Sequence, residues 1–109
     1  MERDTKNLET TQYIYTIEEI RKIVSETAKQ YGVERVTLFG SYARGEARCN
    51  SDIDLRIDKG RLRGLFQLSG FHLDLEEKLR ASVDVIVTDS LDHKFLDRIS
   101  KEEILLYEQ

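Results

Sequence analysis

The sequence predicts an α/β (α+β) fold: a small mixed β-sheet with helices packed mainly on one face. Two observations support this class. Segments with apolar residues at helical spacing alternate with short segments rich in valine, isoleucine and leucine along the 109 residues. The links between these segments are short, so neighbouring helices and strands are expected to pack together in one sheet-based domain.

The first predicted helix covers residues 16–31. Thr16 and Glu19 form a capping-box pattern at its start, and Gly32 stands where a left-handed C-terminal cap is expected. Its apolar face recurs at helical spacing through Ile17, Ile20, Val24, Ala28 and Tyr31. Residues 1–15 are polar at first and lack a clear period. We therefore expect an N-terminal tail over 1–15 and a single domain over 16–109.

Two strands are predicted next, over residues 33–39 and 52–58. A short turn or helix begins at Gly40-Ser41 and runs to about residue 47. The second strand alternates strictly, which puts its apolar and polar side chains on opposite faces of the sheet. The apolar face carries Ile53, Leu55 and Ile57, and the polar face carries Asp52, Asp54, Arg56 and Asp58.

The rest of the chain predicts a helix from about 62 to 80, a strand over 83–87, a helix over 91–100 and a last strand over 104–107. Gly70 weakens the first of these helices by roughly 1 kcal/mol relative to alanine. In the strand over 83–87 the three valines face one way. Asp84 and Ile86 are therefore expected on the other face.

Composition and charge narrow the class of function. No apolar run approaches the ~20 residues of a membrane span, and the first residues show no secretory pattern. The single cysteine, Cys49, cannot form an internal disulfide, which indicates a reducing cytoplasm. A net charge of -4 argues against strong nucleic-acid binding. Six basic residues between 44 and 63 could form a local patch, but most of them are expected to be solvated surface charges: Arg44, Arg48, Arg56, Lys59, Arg61 and Arg63.

Two aspartates carry the first part of a candidate active site. Asp52 and Asp54 project from the same face of their strand, so their charges must be offset by a cation, or one pKa must rise. Mg²⁺ takes carboxylate oxygens together with substrate phosphates. If the strand over 83–87 lies alongside, Asp84 supplies a third carboxylate. Three carboxylates suit a pair of metal ions that clamp the oxygens of a phosphoryl transfer.

The second part of the site is the Gly40-Ser41 pair. Glycine lets the backbone approach a phosphate closely, and Ser41 offers a hydroxyl and an N–H at the start of a helix. Arg44 follows one turn later and could bind a phosphate oxygen. Each of these features is common alone. Their order is informative: strand, Gly-Ser, spacer, Asp-Ile-Asp, and then an aspartate inside a valine-rich strand.

The stretch LFGSYARGEARCNSDIDL, residues 38–55, resembles the signature of the polymerase-β-like nucleotidyltransferase superfamily. It is most similar to the small stand-alone MNT branch, the antitoxins encoded beside HEPN-domain ribonuclease toxins. The segment VDVIV (83–87) resembles the strand that bears the third carboxylate, and the ending ILLYEQ resembles the usual last strand. The resemblance implies the polymerase-β-like nucleotidyltransferase fold for nearly the whole chain.

The resemblance also implies a function, that of a type VII toxin-antitoxin system antitoxin. Asp52 and Asp54 would bind two Mg²⁺ ions, and Asp84 would bind the catalytic one and help to deprotonate the acceptor. Gly40 and Ser41 would hold the β- and γ-phosphates of ATP. AMP would be transferred to a tyrosine hydroxyl of a cognate HEPN toxin, which would block the toxin's RNA cleavage.

Two alternatives stay open. The chain could be an antitoxin that neutralises its toxin by binding alone, or a transferase for a small molecule such as an aminoglycoside. The small size favours a macromolecular acceptor, since the catalytic fold uses nearly the whole chain. The remaining candidates are expected to be structural or surface residues and to take no part in the chemistry: His72, His93, Cys49, Tyr13 and Tyr15.

Overall fold

Helices and strands alternate along the chain in the computed structural model, which describes residues 13–109. The order is α-β-α-β-α-β-α-β, as predicted. The elements are α1 (Ile17–Tyr31), β1 (Arg35–Phe39), α2 (Gly40–Arg44), β2 (Ile53–Asp58), α3 (Gly64–Leu79), β3 (Val83–Val87), α4 (His93–Ser100) and β4 (Ile104–Glu108). A 3-10 turn at Thr88–Ser90 links β3 to α4. The elements begin and end within about three residues of the predicted bounds.

The strands form one mixed sheet in the order β3-β2-β1-β4. Strand β1 runs antiparallel to both β2 and β4, whereas β2 and β3 are parallel. The parallel pair sets Asp54 opposite Asp84. A register shift between Val36 and Thr37 interrupts the pairing of β1 with β4. The predicted mixed sheet is therefore confirmed, and the two strands with candidate carboxylates are neighbours.

The main core lies between one face of the sheet and helices α1 and α3. The alternation in β2 has the predicted effect, since Ile53, Leu55 and Ile57 are all fully buried. The two helices contribute further buried residues to this core: Ile20, Val24, Ala28, Phe71, Leu75 and Leu79. Helices are thus packed mainly on one face of the sheet, as the sequence predicts.

Helix α4 lies on the other face. Phe95 packs edge-on against Phe39, with ring centroids 6.0 Å apart. Phe39 follows Leu38, which belongs to the main core, so the two side chains point to opposite faces of β1. This contact holds α4 beside the end of β1 where the Gly40-Ser41 pair begins.

The ends of α1 are the predicted ones. The Thr16 side chain accepts a hydrogen bond from the Glu19 N–H at 3.1 Å, and the Glu19 carboxylate accepts one from the Thr16 N–H at 2.8 Å. Gly32 ends the helix with a φ of 73°. These reciprocal bonds satisfy backbone groups that the first turn of a helix leaves without partners.

Helix α3 differs from its prediction at its start. It begins at Gly64 rather than near residue 62, and Leu65 in its first turn is 77% exposed, so it takes no part in the apolar face. Close packing against α1 explains why a glycine occupies position 70 in the middle of this helix. A Cβ there would lie 3.3 Å from the Tyr31 hydroxyl, whose ring packs edge-on against Phe71. The glycine therefore lets α1 and α3 approach closely.

Residues 13–15 lie against the domain. The Tyr15 N–H donates to the Tyr42 hydroxyl at 3.3 Å, and the Tyr15 hydroxyl donates to the Leu79 carbonyl. The rest of the predicted tail, residues 1–12, is outside the described residues, so the domain boundary at residue 16 remains a prediction. No helix within residues 13–109 has the length and apolar composition needed to cross a bilayer.

Candidate active site

Gly40 joins β1 to α2 with a φ of 79°, in the left-handed region. A Cβ at this position would overlap the Oδ2 atom of Asp54. Both the backbone conformation and the space therefore require glycine. The missing side chain lets the Asp54 carboxylate rest against the start of α2, so that the two halves of the sequence motif meet at this point.

The three aspartates come from two neighbouring strands. Asp54 and Asp84 are paired across the parallel strands β2 and β3, and Asp52 directly precedes β2. Asp54 is half-buried, whereas Asp52 and Asp84 are exposed. The structure thus brings Asp54 and Asp84 together at one end of the sheet, with Asp52 next to them on the solvent side.

This crowding changes the protonation of Asp54. Burial raises the pKa of its carboxyl, and Asp84 raises it further through its charge and through a hydrogen bond between the side chains. Asp52 adds a smaller increase and Arg44 a small decrease, so that the pKa of Asp54 is about 6. The site therefore holds more negative charge than its own cations offset.

The donor set fits a hard divalent cation. Within residues 13–109, no three His, Cys, Asp or Glu side chains are grouped closely enough to hold a metal ion as they stand. The chemistry of the donors is nevertheless that of a magnesium site. All three are carboxylates, and two of them raise the pKa of the third. A cation bound here would reduce the electrostatic repulsion among the three carboxylates.

A cavity of about 660 Å³ opens beside the aspartates. Five of the six predicted site residues line it: Gly40, Ser41, Arg44, Asp52 and Asp54. Asp84 lies outside its lining, on the far side of Asp54. The motif residues therefore form one wall of a space large enough for a small organic ligand.

The opposite wall comes from α4 and the residues after it, which the sequence analysis did not single out. Phe95, Arg98, Lys101 and Glu102 all line the cavity. The Arg98 guanidinium lies over the Phe95 ring, 5.4 Å from its centroid. No local pattern marks these residues as functional, because α4 reaches the site only through the tertiary contact of Phe95 with Phe39.

Glu102 makes the most direct of the missed contacts. Its Oε2 atom accepts a hydrogen bond from the Gly40 N–H at 2.7 Å. The Arg44 Nη1 atom lies 3.3 Å from each of its carboxylate oxygens. Arg44 also donates to Glu46 at 3.0 Å. Arg44 therefore lines the cavity, but its guanidinium already contacts two carboxylates.

Arg56 is an exception to the expectation that most of the basic residues between 44 and 63 are solvated. It lies on the polar face of β2, but its side chain is only 13% exposed and forms a two-point ion pair with Glu103, which is 10% exposed. The pairing distances are 2.5 Å and 2.8 Å. Thr37 also donates to Glu103, at 3.0 Å. The pair ties the residues before β4 to the centre of the sheet.

The other titratable candidates lie away from the cavity. The His72 Nε2 atom is 2.5 Å from the Val83 carbonyl oxygen, a structural contact of the predicted kind between α3 and β3. His93 is exposed at the start of α4, and Cys49 is exposed in the loop before β2. None of the three lines the cavity beside the aspartates.

Comparison with known sequences gives a family for this arrangement. The profile of the family "Polymerase beta, Nucleotidyltransferase" matches residues 18–109. A proposed protein adenylyltransferase of Methanocaldococcus jannaschii is 36% identical over 81% of this chain and 95% of its own length. Protein adenylyltransferase MntA of Thermococcus cleftensis is 31% identical over 82% of this chain and 94% of its own length.

Comparison with solved structures also finds nucleotidyltransferases. A proposed minimal nucleotidyltransferase superposes with a TM-score of 0.72 at 32% identity, over 83% of this chain and 95% of that one. An MNT antitoxin, solved in complex with a tri-AMPylated Shewanella oneidensis HEPN toxin, gives a TM-score of 0.66 at 15% identity. That match covers 85% of this chain and 73% of the other, and it shows a shared fold. The resemblance inferred from the sequence is confirmed: the chain is a nucleotidyltransferase and belongs to the polymerase beta nucleotidyltransferase family.

Proposed function

We propose that this chain is a magnesium-dependent protein adenylyltransferase that acts as the antitoxin of a type VII toxin-antitoxin system. It would transfer AMP from ATP to a tyrosine hydroxyl of a cognate HEPN toxin in the cytoplasm and so stop RNA cleavage. The names of its relatives support protein adenylylation. The fold shared with an MNT antitoxin bound to a HEPN toxin supports the partner.

One observation carries the proposal: the pairing of Asp54 with Asp84 directly against the backbone of Gly40. This juxtaposition places carboxylates for a cation next to a backbone that a phosphate can approach. The same end of the sheet opens into a cavity that can accept a nucleotide. Enzymes catalyse phosphoryl transfer mainly by neutralising charge and by positioning the reactants, with little covalent participation by the protein.

We assign the roles as follows. Gly40 and Ser41 hold the β- and γ-phosphates, and Arg44 binds a further phosphate oxygen. Asp52 and Asp54 would hold two Mg²⁺ ions, and Asp84 would be a ligand of one of them. Bound Mg²⁺ would neutralise the phosphate oxygens and make the acceptor hydroxyl more acidic. These roles explain why the three carboxylates stand so close that the pKa of Asp54 rises.

The reaction is then an in-line displacement at the α-phosphorus. The tyrosine oxygen forms a new bond to that phosphorus, the bond to the bridging oxygen breaks, and pyrophosphate leaves with the electron pair. Asp84 would accept the hydroxyl proton. The acceptor tyrosine would belong to a second protein, which the names of the protein adenylyltransferase relatives support.

The test is co-expression with the proposed cognate HEPN toxin, followed by intact mass spectrometry of that protein. We expect increments of one AMP per modified tyrosine, and growth rescue in the same cells. The double variant Asp52→Asn/Asp54→Asn should reduce transfer at least about a thousandfold, since loss of metal ligands removes several kcal/mol of transition-state stabilisation.

Asp58→Asn is the matched control, because Asp58 lies on the same face at the other end of β2. It should transfer AMP at the wild-type rate. An unmodified partner in rescued cells would show that the protein neutralises by binding alone. Modification of an aminoglycoside without any partner protein would replace the proposal by a small-molecule activity.

A further inference from the structure

The carboxylate of Glu102 lies on the two groups that the proposed function assigns to the nucleotide phosphates. It accepts the Gly40 N–H at 2.7 Å and stands 3.3 Å from the Arg44 guanidinium. The Glu102 side chain is only 23% exposed. A backbone N–H together with a guanidinium is a common binding site for phosphate oxygens. In this structure, an anionic group of the chain itself fills that position.

We propose that Glu102 is an internal competitor for the nucleotide phosphates. A triphosphate can reach Gly40 and Arg44 only after the Glu102 carboxylate has moved away, so this residue sets the affinity of the site for ATP. The inference rests on the proposed function, because it takes phosphates to be the ligands of Gly40 and Arg44. A carboxylate left in place would also repel the incoming polyanion.

The contacts around Glu102 hold its backbone and leave its side chain free to rotate. The Glu102 N–H donates to the Ile99 carbonyl at 3.0 Å, which continues the last turn of α4. The next residue, Glu103, is held by Arg56. The backbone is therefore fixed on both sides of Glu102. Rotation of the side chain alone releases Gly40 and Arg44, and no movement of α4 is needed.

The same wall of the cavity carries cations that balance the added negative charge. Arg98 and Lys101 line the cavity beside Glu102. Neither forms a salt bridge with another residue in the part of the chain that the structure describes. Arg98 and Lys101 can therefore attract both the incoming phosphates and the Glu102 carboxylate after it has moved. Neither anion would then lack a nearby positive charge.

The test is the affinity of the full-length protein for ATP with Mg²⁺, and for inorganic tripolyphosphate, by calorimetry. Glu102→Gln keeps the shape of the side chain but removes its charge. We expect both ligands to bind about tenfold more tightly to this variant. Glu46→Gln is the matched control. It removes the other carboxylate on Arg44, 3.0 Å away, but Glu46 has no contact with Gly40, so affinities should stay within about twofold.

Urea unfolding of both variants establishes that they are folded as the wild type is. Wild-type binding of ATP with no gain in Glu102→Gln would overturn the inference and leave the proposed function in place. A gain for ATP without one for tripolyphosphate would also overturn it, since Glu102 would then compete with the nucleoside. If no variant binds ATP, the proposed function fails and the inference fails with it.

Discussion

Gly40 is the first residue of α2 and Gly45 directly follows its last residue. Both have a left-handed backbone, with φ of 79° and 76°. Their surroundings differ completely. A Cβ at Gly40 would overlap the Asp54 carboxylate, whereas a Cβ at Gly45 would meet no atom within 4 Å. A substitution at Gly45 therefore introduces backbone strain alone, whereas one at Gly40 introduces the same strain and also disturbs the site. Single residues in this loop can be assigned to stability or to chemistry on that basis.

We expect Gly45→Ala to lower the free energy of unfolding by about 1–2 kcal/mol, the cost of a left-handed non-glycine residue, and to retain AMP transfer. Gly40→Ala should carry a similar strain and, in addition, displace Asp54, with at least about a hundredfold loss of transfer. Urea unfolding and an initial-rate assay measure the two effects. Equal activity of the two variants would contradict the role given to Gly40.

At the scale of elements, the segment between α4 and β4 is fixed by one ion pair. Glu103 receives two hydrogen bonds from Arg56 on β2 and one from Thr37 on β1. Burial alone would raise the pKa of Glu103, but these hydrogen bonds outweigh it and hold the pKa below the ordinary value of 4.5. The pair thus joins the start of β4 to the two central strands and keeps the neighbouring Glu102 beside the cavity.

Glu103→Gln should lower the free energy of unfolding by about 3 kcal/mol at pH 7, because it leaves the buried Arg56 charge with only the more distant Asp58 carboxylate, 4.0 Å away. Since the folded pKa of Glu103 is depressed, its stabilisation is complete above pH 4.5 and is lost as the pH falls through the folded value. Urea unfolding between pH 7 and pH 3 should therefore show the two proteins converging in acid.

Glu108→Gln is the control for this pair. Glu108 faces Arg35 at 4.0 Å, and both side chains are about half exposed. A surface pair of this kind contributes at most about 1 kcal/mol, so the control should follow the wild type at every pH. A difference between wild type and Glu103→Gln that stays constant down to pH 3 would show that the Glu103 charge is not the cause.

At the scale of the whole molecule, the sequence was sufficient for features that depend on local periodicity. The alternation in β2 predicted which aspartates share a face, and Thr16 with Gly32 predicted both ends of α1. The sequence was insufficient for the wall formed by α4, because Phe95 meets Phe39 only in the folded chain. The sequence could not distinguish Arg56 from the solvated basic residues near it, because its partner, Glu103, lies 47 residues away in sequence.

The carboxylate site also acts on the stability of the whole chain. Because the folded pKa of Asp54 is raised to about 6, its ionisation costs stability. That cost is absent below its ordinary value of 3.8 and grows as the pH rises to about 6. In EDTA at pH 7, Asp54→Asn should therefore be more stable than the wild type by about 1 kcal/mol, allowing for solvent screening.

Mg²⁺ should reverse this order. We expect it to raise the thermal midpoint of the wild type and to leave that of Asp54→Asn nearly unchanged, because binding to the folded state stabilises it. Differential scanning calorimetry in EDTA and in Mg²⁺ gives the four midpoints. An equal rise in both proteins would mean that the ion binds elsewhere on the chain.

The parallel pairing of β2 with β3 has a consequence for newly made chains. Side chains alternate along a strand, so a shift of β3 by one residue would turn Asp84 into the core and point a valine at the acceptor. With the roles proposed above, such a molecule would hold a nucleotide but would not complete the reaction. The proposed activity would therefore depend on correct pairing of β3, and a misfolded copy of the protein would leave its target unmodified rather than modify it wrongly.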